Sequence, residues 1–232
     1  MQTFPEELVF MILVFGISDI RFYDVIHQLF NNNVNNNVAD VFCVCKQWHR
    51  IGLVCLYDTI IIRSRAQALA LATTLDKNPH LSSLIKNARI EGGYPQLNDI
   101  FKKCVNLNIL ILLLWDILLM EDMQPLCRAL KVVNPVVFLF LDHPPDLDEL
   151  RTQRRCDNFD LVHKTLCSAI PTWSRLVCLS FSFVSFADKP VPSRAVFEAA
   201  GTMNSLAHPG VIVYVATEYI SPKPYPNHPP SE

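Results

Sequence analysis

From Arg65 onward two apolar patterns alternate, and that alternation limits the fold of this 232-residue chain more than any other feature. In one stretch apolar residues recur at i, i+3, i+4 and i+7, the spacing of one helical face. In the next they run almost unbroken, as in a strand. Ala68, Leu71, Ala72 and Leu75 predict a helix ending at Asn78-Pro79, because the residue before a proline is pushed out of helical geometry. "SLIKNARIEG" (83–92) reads as a strand with a turn. Leu97, Ile100, Phe101 and Cys104 precede the strand "LNILILLL" (107–114), and Met123, Leu126, Cys127 and Leu130 precede "VVFLFLD" (136–142). Asp146 and Glu149 form a capping box that predicts a short helix. Phe159, Val162, Leu166 and Ile170 mark a further helix before "RLVCLSFSFV" (175–184). Val196, Ala199, Ala200 and Met203 lead to "VIVYVA" (211–216).

Five helix–strand units follow one another in this way over residues 63–220. A strand–helix–parallel strand connection is right-handed in nearly all proteins, so its repetition builds a parallel sheet, either a curved solenoid or a flat doubly wound sheet. Leu107, Leu110 and Leu112 stand at L-x-x-L-x-L spacing, and Leu176, Leu179 and Phe181 repeat that register, which suits irregular leucine-rich-repeat-like units. The glycine-rich phosphate loop of the flat alternative is missing, which favours the solenoid.

The first 62 residues have a different character. Thr3 caps and Glu6 completes a capping box for a helix that carries Pro5 in its first turn. Leu8, Met11, Ile12 and Phe15 give it one apolar face. A second helix is expected over Asp19–Phe30, from Phe22, Val25, Ile26 and Leu29. "NNNVNNN" (31–37) then reads as a solvated loop, since asparagine competes for backbone hydrogen bonds and favours turns. A third helix is expected over Val38–Ile51, with Val41, Val44, Cys45 and Trp48 on one stripe and Gly52 as its stop. Leu56, Tyr57 and a strand-like "TIIIR" (59–63) follow. The fold class is therefore α/β. It comprises an N-terminal three-helix module over 1–62, helix–strand units with a parallel sheet over 63–220, and a proline-rich tail at 221–232.

Little in the chain points to chemistry. With 20 basic and 22 acidic residues it has no basic field to hold nucleic acid. The apolar run 109–120 is too short to span a bilayer and contains Asp116, and no secretory signature precedes it, so a soluble protein without a membrane partner is expected. The eight cysteines show no CxxC pair and no zinc-finger spacing. They read as reduced, mostly buried thiols of a cytoplasmic or nuclear protein. Cys45 and His49 stand at i, i+4, but on a buried stripe that thiol would be inert. "EGGY" (91–94) is expected to be a tight turn, and "DLDELRTQRR" (146–155) sets acids before Arg154 and Arg155 in the order that suits a helix dipole. Nucleophile elbow, Walker and zincin motifs are all absent. No metal, cofactor or catalytic residue is expected.

The N-terminal module resembles an F-box. Phe4-Pro5-Glu6-Glu7, then Leu8 and Ile12, then Val44-Cys45-Lys46-Gln47-Trp48, then Leu56-Tyr57 follow that family's pattern over residues 3–58. The closing part looks much like F-box proteins of mushroom-forming fungi, in which similar modules precede irregular leucine-rich repeats. The resemblance implies a substrate-recognition adaptor of an SCF-type ubiquitin ligase. Pro5, Leu8, Ile12, Val44, Cys45, Trp48 and Leu56 would bind the Skp-type adaptor and, through it, cullin, while the repeats hold a protein substrate. Two departures stand out: Phe4 replaces the usual leucine, and the distance from Pro5 to Trp48 exceeds the usual span. Two alternatives stay open. One is an α/β-fold hydrolase using His143 or His163. The other is a truncated family member without ligase activity.

Overall fold

In the computed structural model, residues 5–17, 43–113, 122–142, 149–186, 202, 205–207 and 210–220 are described. The expected helix at 19–30, the asparagine loop, Thr3 and Phe4, Val41, Asp116, His143, Asp146, the stripe residues Val196, Ala199, Ala200 and Met203, and the tail lie outside them.

Six strands form one wholly parallel sheet in the order β1-β2-β3-β4-β5-β6. They are β1 (Thr59–Ile62), β2 (Asn87–Ile90), β3 (Ile109–Leu113), β4 (Val137–Asp142), β5 (Cys178–Phe186) and β6 (Ile212–Ile220). Between them come α3 (Arg65–Lys77), α4 (Leu97–Lys103), α5 (Gln124–Leu130) and α6 (Glu149–Ala169), after an initial pair α1 (Glu6–Ile17) and α2 (Lys46–Asp58). Every described strand pairs with its neighbour in sequence, so these six strands lack the order reversal of a doubly wound fold. The strand-like 59–63 segment, placed with the helical module by the sequence, is the first strand of this sheet.

Register explains the apolar pattern. Ile60, Ala88, Leu110, Phe138, Leu179 and Val213 stand in one row across the sheet, and Ile62, Ile90, Leu112, Phe140 and Phe181 in the next on the same face. Both rows belong to the main hydrophobic core, together with Ala68, Leu75, Leu97, Ile100, Leu126, Leu130, Val162 and Leu166 from the four helices. Ile85, Leu107 and Leu176, each three residues before the first row, are buried with them. The L-x-x-L-x-L spacing is thus repeated as L/I-x-x-A/L-x-I/L/F at the entries to β2, β3 and β5, whereas β1, β4 and β6 have Tyr57, Pro135 and Gly210 at the leading position. Phe138 meets Trp173 edge-on at 5.1 Å and Phe140 meets Phe181 at 5.6 Å. Trp173 is wholly buried, and its Nε1–H donates to the carbonyl of Leu130 at 3.3 Å. On the other face Ile111 and Leu113 are buried as well, which is why "ILILL" does not alternate with polar residues.

Several expectations need correction. Cys45 has extended backbone (φ −164°, ψ 170°), so the third helix begins at Lys46 rather than at Val38, and it runs through Leu56 and Tyr57 to Asp58. Gly52 is buried inside it beside Ile51 and does not end it. The short helix at 146 and the helix around 159 are one element of 21 residues, Glu149–Ala169. Arg154 and Arg155 therefore fall in its first half and the last turn holds no basic residue, which removes the dipole argument. Gly92 and Gly93 are both buried, and in place of the expected tight turn the chain bends at Gly92, where the missing side chain leaves room for the ring of Tyr94. Among the cysteines, Cys55, Cys104 and Cys127 are buried as expected, but Cys43 and Cys45 are exposed.

The strand entries are tied together by polar groups. Arg175 donates to the carbonyls of Val105 and Leu107 and to Oδ1 of Asn108, which joins the approach to β5 to the approach to β3. Asn134 accepts from the Arg175 backbone N–H and donates to Ser174 Oγ. Ser64 caps α3 by accepting from the N–H of Gln67.

Candidate functional site

α1 and α2 pack against each other and form a second, small cluster: Val9 and Leu13 on Ile51 and Cys55, with Trp48 half-buried at its edge. Arg50 pairs with Glu6 across the two helices. What distinguishes this pair is what it leaves uncovered. Leu8, Phe10, Met11 and Ile12 of α1 are 43–50% exposed, and Val44, Val54 and Leu56 are 61%, 38% and 38% exposed. A run of large apolar side chains in water is what a partner protein usually covers.

Pro5, Leu8, Ile12, Val44, Cys45 and Leu56 are exposed, and Trp48 is half-buried against the α1–α2 cluster. Val44 and Cys45 precede α2, so the stripe drawn through them and Trp48 does not exist. Cys45 is exposed, not buried. On α1 the apolar face read through Leu8, Met11 and Ile12 is exposed, whereas Val9 and Leu13, outside that stripe, pack on α2.

The structure also brings together residues that were not singled out. Glu6, Glu7, Phe10, Met11, Arg50, Ile51 and Val54 line an open groove of about 420 Å³ between the helices. At 100° per residue, Leu8 and Ile12 fall about 160° around α1 from Phe10. The apolar surface of α1 therefore has two parts, one toward the groove and one on the opposite flank. The only sequence signal for the groove was that "EELVFMILVFGI" is apolar all round, which marks a helix with more than one covered side.

A second concentration of polar chemistry lies on the sheet face away from the core. Glu91 accepts from Arg89 at 2.8 Å and from Arg63 at 3.1 Å. Burial pulls the Arg89 guanidinium below its ordinary value, against the attraction of Glu91. Farther back, Asp58 pairs with Lys86 at 3.0 Å and accepts from Asn87 at 3.0 Å. The two rows continue through Ile109 and Ile111, Val137 and Leu139, and Cys178 and Ser180 to exposed Ile212 and Tyr214 of β6. Arg89 and Ile111 are buried there, and among the described residues this face brings no nucleophile, base and oxyanion donors together.

His163, one of the two histidines considered for hydrolysis, lies 3.4 Å from Cys167 Sγ. Burial pushes that thiol up from its ordinary value, the opposite of nucleophile activation. Among the described residues no group of three or more His, Cys, Asp or Glu is arranged to hold a metal ion, and no helix is long and apolar enough to cross a membrane.

Fold and surface together define an α/β chain with a sequentially ordered parallel sheet and an N-terminal helix pair bearing exposed apolar side chains. Compared with protein-family models, with curated proteins and with solved structures, the chain matches none.

Proposed function

We propose that this chain is a substrate-recognition subunit of an SCF-type ubiquitin ligase, with an F-box module ahead of a leucine-rich-repeat-like domain. The observation that carries the reading is the apolar surface of the α1–α2 pair. Val9 and Leu13 suffice to join the helices, yet Leu8, Met11 and Ile12 stand in water on the same short element. Such a module has little core of its own and is completed by a second protein, here the Skp-type adaptor. The repeat reading is supported by the unreversed strand order and by Ile85, Leu107 and Leu176, buried three positions before the first-row residues of β2, β3 and β5. In this reading the chain contributes no catalytic group. It holds a protein substrate through the repeat-like domain, and proximity to ubiquitin supplied by other subunits does the rest.

The test is a pull-down of purified Skp-type adaptor by the full chain. Leu8→Glu with Ile12→Glu should abolish capture while leaving far-UV circular dichroism unchanged, since both residues are exposed. Trp48→Ala is the poorer probe, because Trp48 also packs on the α1–α2 cluster. A folded wild type that captures no adaptor would end the F-box reading.

A further inference from the structure

We propose that His163 and Cys167 form a two-ligand site for a thiophilic divalent cation such as Zn²⁺ on the half-buried flank of α6. Cys167 Sγ lies 3.4 Å from His163 Nε2. Tetrahedral zinc, with a Zn–S bond of about 2.3 Å and a Zn–N bond of about 2.0–2.1 Å, sets sulfur and nitrogen ligands roughly 3.5 Å apart. The donors already stand at that separation, one helical turn apart, and a cation replaces the contact between them.

The pair is also held in place. The His163 ring lies parallel to Phe159, with 6.4 Å between centroids and 2° between planes. Phe159 and Cys167 both pack against the main core, so little rotamer freedom remains to be lost on binding. Yet His163 and Cys167 are only half-buried, which leaves an approach from solvent. Cys167 coordinates as the thiolate and its proton passes to water, while water fills the remaining positions. Imidazole with thiolate selects zinc over magnesium or calcium. Among the described residues no third protein ligand completes the set, so affinity is below that of a closed structural site.

Timed alkylation of the folded full chain with iodoacetamide, read as the mass of the Cys167 peptide, tests the site. Zn²⁺ should slow alkylation of Cys167 at least tenfold, Mg²⁺ should not, and His163→Gln should lose most of the protection. Cys178, half-buried on β5, serves as the internal control and should keep its rate. Absence of zinc protection in the wild type, equal protection by Mg²⁺, or full protection without His163 would each overturn the proposal.

Discussion

At Gly92 a β-carbon would lie 2.3 Å from Cζ and Oη of Tyr94, and the ring cannot withdraw freely because Tyr94 is buried. Gly92→Ala should therefore cost about 1–3 kcal/mol in urea denaturation, as overpacking does. The loss should shrink when Tyr94→Ala is added, because the two positions share one space. The sequence shows a glycine pair and suggests a turn; nothing local announces the tyrosine ring. Cys104 makes a second residue-level case. Burial pushes its thiol up to about 12 from 9.0. The folded state then disfavours the thiolate, so this contribution to stability is complete below pH 9.0 and is lost as pH rises toward 12. Stability should fall across that window by up to about 1.4 kcal/mol per pH unit more steeply than in Cys104→Ala. Denaturation midpoints of the two chains at successive pH values measure the difference, and parallel profiles would refute it.

At the scale of elements, the helices and strands of 65–186 follow their periodic residues closely. Ala68, Ala72 and Leu75 are buried in α3, and Val162 and Leu166 in α6. The N-terminal helices were harder to read. α1 is apolar on every side, so periodicity cannot select the face turned inward. Val41 and Val44 extended the apparent stripe of α2 backward, although Cys45 is extended and the helix starts after it. Cys45 occupies the N-cap position and its side chain makes no capping hydrogen bond. Cys45→Ser supplies an oxygen there and should raise stability by about 0.5–1.5 kcal/mol, measured by thermal denaturation. A neutral or negative effect would mean that the helix start is satisfied in another way.

For the whole molecule, the described residues include two hydrophobic core clusters without shared members, one on the sheet and one between α1 and α2. α2 links them, since it packs on the 3-10 turn Pro79–Leu84 and runs directly into β1. A charge placed in the small cluster should loosen that cluster alone. In Val9→Asp, hydrogen exchange of α1 should accelerate at least tenfold while the amides of β2 to β4 keep their protection. Loss of protection throughout would show that the helix pair and the sheet fold as one cooperative unit.

By itself the sequence determined the element types, the parallel α/β class and the breaks between units, because helix period, strand runs and proline or asparagine breakers act over a few residues. It also marked Leu8, Ile12, Val44 and Leu56 as surface worth covering, through a resemblance rather than through periodicity. Only the tertiary structure decided which side of α1 meets α2, that 149–169 is one continuous helix, that Phe10, Met11 and Val54 share a groove, and that His163 stands against Cys167. Those outcomes depend on which distant neighbour supplies burial at each position, and an apolar side chain carries no record of the neighbour that will cover it.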